Sequence, residues 1–196
     1  MGLTRVPDGW CAAVVTHLEM TTRPLPRPVP AEVLHLLQWH APDAKKYRAL
    51  FRRVGAHWLW FSRLTMDARQ LSAIISDKAV KIFAVLDSAG LEVGMVELDF
   101  RALPDCEIAY FGLIPELAGQ GHGRWLMAQT LALAWAPGVE RVCVHTCSLD
   151  HPSALGFYRA QGFTPFKREL ETFHDPRLKG QLPRDAAPQI PLIGTS

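Results

Sequence analysis

Five consecutive residues, Gly119-Gln120-Gly121-His122-Gly123, have the types and spacing that can hold a phosphate. They follow a segment, Asp105 to Ile114, that reads as a strand, and they open one, about Gly123 to Trp135, that reads as a helix. The first N–H groups of a helix have no partners inside it, and together with the helix dipole they favour an anion. Gly121 and Gly123 lack a Cβ, so backbone there can approach a pyrophosphate closely, and Arg124 adds positive charge. Two phosphate sites are excluded by spacing. A P-loop requires GxxxxGK followed by Ser or Thr, and no such run occurs. A dinucleotide fold requires G-x-G-x-x-G and an acid closing the next strand. Here the pattern is G-x-G-x-G, and the strand Arg141 to Ser148 meets no acid before Asp150. Taken alone, the turn fits many anions, or none.

Other reactive side chains give weaker signals. His122 sits inside the turn and reads as a contact to phosphate or solvent. His145 alternates with Cys143 and Cys147 along a strand, where a packed or hydrogen-bonded histidine is a simpler reading than a base. Four cysteines (Cys11, Cys106, Cys143, Cys147) form no CxxC pair, and Cys143 and Cys147 are too far apart along a strand for a disulfide. They read as reduced thiols of a cytoplasmic protein, with no second Cys/His cluster to hold a metal.

The elements that must position these groups follow from composition and periodicity. The 196 residues, 48% apolar and 20% charged, fit one domain with a sizeable core. A net charge of +2 is too small for nucleic-acid binding to be the main function. No signal-peptide pattern or membrane-length apolar run occurs, so neither secretion nor a membrane partner is expected. Trp10 to Met20 reads as a strand, and Thr21 to Pro30, with four prolines, as a connector. Helices are expected over Ala31 to Trp39, from near Pro42 to Val54, and over Asp67 to Ser76. Val80 to Asp87 and Leu91 to Phe100 form a hairpin around Ser88-Ala89-Gly90. In the helix after the turn, Leu126, Met127, Thr130, Leu131 and Ala134 mark the inward face. Arg141 to Ser148 is a strand, Ser153 to Gln161 a helix closed by Gly162, and Thr164 to Phe173 a last strand or two. The domain is expected over 1–174, with a Pro-rich tail over 175–196 expected to be poorly ordered. The class is α+β, a mixed sheet with helices on its faces.

Glu107 to Phe163 resembles the GNAT superfamily of acyl-CoA-dependent N-acyltransferases. The residues carrying the match are Glu107-Ile-Ala-Tyr-Phe-Gly-Leu-Ile-Pro115, Gly119-Gln-Gly-His-Gly123 with Leu126-Met127, and Ala154-Leu-Gly-Phe-Tyr-Arg-Ala-Gln-Gly-Phe163. Ala118 stands where the family's pyrophosphate loop usually has Arg or Gln, and His151 where it often has Asn before the alanine, Ala154, of the next helix.

The resemblance implies a mostly antiparallel sheet with helices on both faces and a splayed strand pair holding coenzyme A. It implies acetyl-CoA as cosubstrate, bound by Gln120, Gly121, His122, Gly123 and Arg124, by the strand end Gly112, Leu113 and Ile114, and near His151 and Ala154. Backbone N–H groups near Gly112 and Leu113 would hold the thioester carbonyl. It implies acetyl transfer to a primary amine by direct attack in a ternary complex. Neutralising a lysine-type amine at pH 7 costs about 4.6 kcal/mol and an α-amine about 1.4 kcal/mol, so a base helps. Glu107 opens the strand where several family members carry their catalytic glutamate, and Tyr158 stands at the usual place of the general acid. Glu97, alternating with Met95 and Asp99 on the neighbouring strand, is the rival base, an amine anchor, or surface. The acceptor, a small molecule or a peptide, would meet the region of Trp39, Tyr47, Trp58, Trp60 and Phe61. These aromatics line a pocket, with Arg52, Arg53 or Arg63 pairing a carboxylate, or they pack as core. A homodimer is compatible with the family. The alternative is a GNAT-fold module that binds acyl-CoA without turnover.

Overall fold

The computed structural model describes residues 2–25 and 33–194. Seven strands form one sheet in the order β2-β3-β4-β5-β6-β1-β7. They are β1 (Trp10–Met20), β2 (His35–Trp39), β3 (Val80–Leu86), β4 (Glu92–Asp99), β5 (Asp105–Leu113), β6 (Arg141–Cys147) and β7 (Thr164–His174). Neighbours are antiparallel except β5 and β6, which run parallel. The helices are α1 (Ala44–Gly55), α2 (Ser62–Thr65), α3 (Ala68–Ile75), α4 (His122–Ala134) and α5 (Ala154–Ala160).

The apolar pattern of each element sets the layers. Leu126, Met127, Thr130, Leu131 and Ala134, the inward face of α4, are buried. With Tyr158 and Phe163 they cover one side of the sheet over Leu18, Val96, Leu98, Ile108 and Val144. On the other side, Tyr47, Leu50, Phe51 and Val54 of α1 and Leu71 and Ile75 of α3 bury Ile82, Ala84 and Met95. Both helices have side-chain caps: Asp43 accepts from Lys45 and Lys46, and Asp67 forms a reciprocal capping box with Gln70. Asp87 accepts from the backbone N–H groups of Ala89 and Leu91 and closes the β3–β4 hairpin.

Two expectations are corrected. The stretch read as a helix over Ala31 to Trp39 holds β2 instead, which pairs with β3 from His35↔Leu86 to Trp39↔Ile82; Ala31 and Glu32 lie outside the described residues. A short apolar segment cannot sustain an isolated helix, whereas the edge of β3 offers unpaired backbone groups. Of the expected connector, 21–25 has no regular structure and 26–30 lies outside the described residues.

The tail is the second correction. Asp175 and Arg177 form a buried pair, with Arg177 Nη2 to Asp175 Oδ2 at 2.7 Å. Arg177 Nη1 also donates to the carbonyls of Ala186, Ala187 and Ile190. Leu182 and Ala187 pack with Cys11, Ala13, Leu59 and Phe173. One buried guanidinium therefore organises a segment that has no periodicity of its own.

Candidate active site

β5 and β6 pair only from Asp105↔Arg141 to Ile108↔Val144. Beyond Ile108 they part. A bulge at Ala109 shifts the register against β4, so that Leu98 faces Ile108 and Glu97 faces Tyr110. The Ile114 N–H donates to Val93 O on the β4 side. Strand alternation then turns the backbone groups of Leu113 and Phe111 to the open edge, and those of Gly112 toward β4.

A cleft of about 620 Å³ occupies this opening. Gly119, Gly121, Gly123 and Arg124 line one end, Phe111 to Ile114 with Ala154, Phe157 and Tyr158 its middle, and His145, Glu171 and Phe173 the other. Gly121 is the N-cap of α4, with φ +90° and no side-chain cap hydrogen bond. The Arg124 N–H donates back to the Gly121 carbonyl at 3.1 Å, and the positive end of the helix dipole opens on the glycine turn, where it favours an anion. A Cβ on Gly123 would meet nothing nearer than Phe157 at 3.7 Å, so packing within the protein does not demand glycine there. A ligand lying close against the backbone would. Gly112 is different: a Cβ there would strike Val54 at 2.8 Å and approach Trp60 at 3.2 Å, so α1 packing demands that glycine.

Of the residues expected to hold the coenzyme, Gly112, Leu113, Ile114, Gly121, Gly123, Arg124, His151 and Ala154 line the cleft. Gln120 and His122 flank it: Gln120 Nε2 donates to Glu116 O at 2.8 Å, and His122 Nε2 lies 3.4 Å from Gln120 Oε1. His151 Nδ1 is 2.7 Å from Ser153 Oγ, at the start of α5. These groups fit a pyrophosphate at the turn and an extended chain along the free edge of β5.

Tyr158 lines the middle of the cleft and is only 7% exposed. Burial pushes its phenol well above the usual range, so it remains protonated. Glu107 and Glu97 have different fates. Glu107 is exposed, and its Oε1 lies 3.2 Å from Nδ1 of His145. This hydrogen bond lowers the Glu107 pKa and raises that of His145. Of the two, His145 reaches the cleft wall.

Glu97 is 0% exposed and does not belong to a solvated strand face. It accepts from Arg63 Nη2 at 2.5 Å and from the Tyr47 hydroxyl, and it does not line the cleft. A carboxylate held by a guanidinium and a phenol is poorly placed to take a proton from an amine. The aromatic cluster divides as well: Trp58, Trp60, Phe61 and Tyr110 line the cleft, whereas Trp39 and Tyr47 are core. The arginines beside it are committed. Arg63 pairs with Glu97, Arg52 donates to Gln181 O, and Arg53 donates to Glu92 O. Nothing in the sequence near His145 signals its carboxylate partner, because Glu107 is 38 residues away and meets it only across the parallel strands.

Among the described residues, no group of three or more His, Cys, Asp or Glu could hold a metal, and no helix is long and apolar enough to cross a membrane.

The chain matches a family model, the acetyltransferase (GNAT) family, over residues 35–163. A comparison with curated proteins finds no match. Among solved structures it is similar to a functionally unknown conserved protein from Staphylococcus epidermidis (TM-score 0.58, 16% identity, covering 85% of this chain and 63% of that one). It is also similar to a GCN5-related N-acetyltransferase from Sphaerobacter thermophilus (TM-score 0.56, 17% identity, 84% and 53%). A third is an aminoglycoside acetyltransferase from an uncultured soil metagenomic sample, in complex with sisomicin (TM-score 0.54, 21% identity, 66% and 88%). The chain spans less than two thirds of the length of the first two. At these identities the structural likeness is one of fold, a mostly antiparallel sheet with helices on both faces. The family match covers most of the chain, and it includes both the splayed strands and the glycine turn: the protein belongs to the GNAT acetyltransferase family.

Proposed function

We propose that this chain binds acetyl-CoA along the open edge of β5 and transfers the acetyl group to a primary amine that enters from the His145 and Glu171 end. One observation carries the reading: a single cleft joins the uncapped start of α4, the free edge of β5, Tyr158, and the His145–Glu171 end. When bound, the coenzyme supplies a thioester carbonyl open to a nucleophile and a thiol as leaving group. The chain's own groups do the rest. The positive end of α4, the close-approaching backbone at Gly121 and Gly123, and the Arg124 guanidinium hold a pyrophosphate. The outward backbone of Phe111 and Leu113 pairs with an extended ligand as an added strand would. The Tyr158 phenol, kept protonated by burial, donates to the departing sulfur. The proton lost by the amine leaves toward the Glu107–His145 pair.

The acceptor end narrows the substrate. Trp58, Trp60, Phe61, Tyr110 and Phe173 offer aromatic surface, Glu171 offers negative charge, and Arg52, Arg53 and Arg63 are engaged elsewhere. This favours a small cationic amine with an apolar or aromatic body over a free amino acid, because among the described residues lining that end there is no arginine or lysine to pair a carboxylate. The four free thiols suit a reducing compartment such as the cytoplasm.

The test is thiol release from acetyl-CoA with a panel of arylalkylamines, polyamines, aminoglycosides, amino acids and peptide N-termini. Release with an amine, and fastest with the arylalkylamines, is expected. Tight coenzyme binding with no release from any amine would instead identify a binding module without turnover.

A further inference from the structure

Resting on the acetyl-transfer reading, we infer that the group taking the proton from the acceptor amine is Nε2 of His145, with Glu107 as a positioning residue behind it. Three observations place them in this order. His145 lines the cleft and Glu107 does not. Glu107 Oε1 occupies Nδ1 of His145 at 3.2 Å, which fixes the neutral ring with its proton on Nδ1 and its lone pair on Nε2. Nε2 has no hydrogen-bond partner among the described residues, so it is the nitrogen left for a substrate. Glu97, the rival carboxylate on β4, is removed from the chemistry by Arg63 and Tyr47.

The step is a simple proton transfer. A substrate ammonium gives one proton to neutral His145 Nε2, forming an imidazolium whose other N–H faces the Glu107 carboxylate, and the amine keeps its lone pair for attack. The imidazolium then returns its proton to solvent, to which the ring is partly open.

The charges around the ring set the pH response. β5 contributes Glu107 and Tyr110. β6 contributes Cys143 and Cys147, and the loop after it Asp150, which accepts from Thr146 and the Cys147 N–H. β1 contributes His17, its ring centroid 5.8 Å from that of His145. β7 contributes Glu171, and also Glu169, which is bonded to His17 and Lys167. The hydrogen bond and charge of Glu107, then Asp150 and Glu171, favour the imidazolium and, against the opposing effect of burial, raise the His145 pKa from its ordinary value. An imidazolium cannot accept a proton, so activity must fall as pH drops through that raised value.

The experiment measures kcat and KM against pH for the wild type, His145→Asn and Glu107→Gln, using acetyl-CoA and the fastest amine of the panel. Alongside it, the His145 ring is titrated by NMR in the wild type and Glu107→Gln. The wild type should show an acid limb that lies above the titration of an ordinary histidine. His145→Asn should lose at least 100-fold in kcat, with the KM for acetyl-CoA within threefold. Glu107→Gln should keep kcat within tenfold at high pH and move both the limb and the ring titration down by at least half a pH unit. Loss of turnover in Glu107→Gln with an intact limb in His145→Asn would make the carboxylate the base and overturn the assignment. A wild type that acetylates no amine overturns the transfer reading itself, a different outcome from an active wild type indifferent to His145→Asn.

Discussion

Tyr158 is packed against Phe111, Phe157 and Phe163, with ring centroids between 5.6 and 6.2 Å, and its exposed remnant meets the cleft. Replacing it by Phe keeps those contacts and removes only the hydroxyl. Tyr158→Phe is expected to lower kcat at least tenfold, a typical loss for a general acid, while the dissociation constant for acetyl-CoA changes little. Steady-state kinetics with a coenzyme titration checks both; an unchanged kcat would remove Tyr158 from the mechanism. Alternation along a strand correctly puts Glu97 with Met95 and Asp99, but it cannot reveal what converges on that face. Tyr47 and Arg63 come from positions 50 and 34 residues away and cover the carboxylate. The same limit hid the partner of His145. Pairwise side-chain chemistry across a sheet is a tertiary property, and only the residue types were legible.

At the scale of the element, the glycine turn contains two glycines of different origin. Gly121 has φ +90°, a conformation that costs any other L-residue strain. Gly123 lies within the first turn of α4 and has room for a side chain. Gly123→Val is therefore expected to hold its melting temperature within a few degrees while weakening acetyl-CoA binding at least tenfold. Gly121→Val should lose both. Thermal unfolding and calorimetric titration separate the two outcomes; equal coenzyme binding in Gly123→Val would move the pyrophosphate elsewhere. α4 itself was legible because its inward face repeats at helical spacing over three turns. β2 was not. Its five residues carry too little periodicity to distinguish an edge strand from a helical turn, and the open edge of β3 decides the matter.

For the molecule as a whole, the tail and the cleft are one structure. Leu182 and Ala187 pack on Leu59 and Phe173, and the latter two also line the acceptor end of the cleft. Arg177→Ala would leave Asp175 buried without its partner, a loss of about 3–5 kcal/mol. It should lower the urea midpoint and raise the KM for the amine more than that for acetyl-CoA. Equal effects on the two would detach the tail from the acceptor site. No periodicity announces this tail, so its order could not be read from composition. The order of strands and helices from Val80 onward could be, because hairpin, strand, turn and helix each carry a local signal. The central claim is that the parting of β5 and β6 is the coenzyme site. It is tested most directly by titrating acetyl-CoA into the isotopically labelled protein and following every backbone amide. The account predicts the largest shifts at Phe111, Leu113 and Gly121 to Arg124, with β2 and β3 unaffected. Saturable binding that leaves those amides unmoved, or no binding at all, would contradict it.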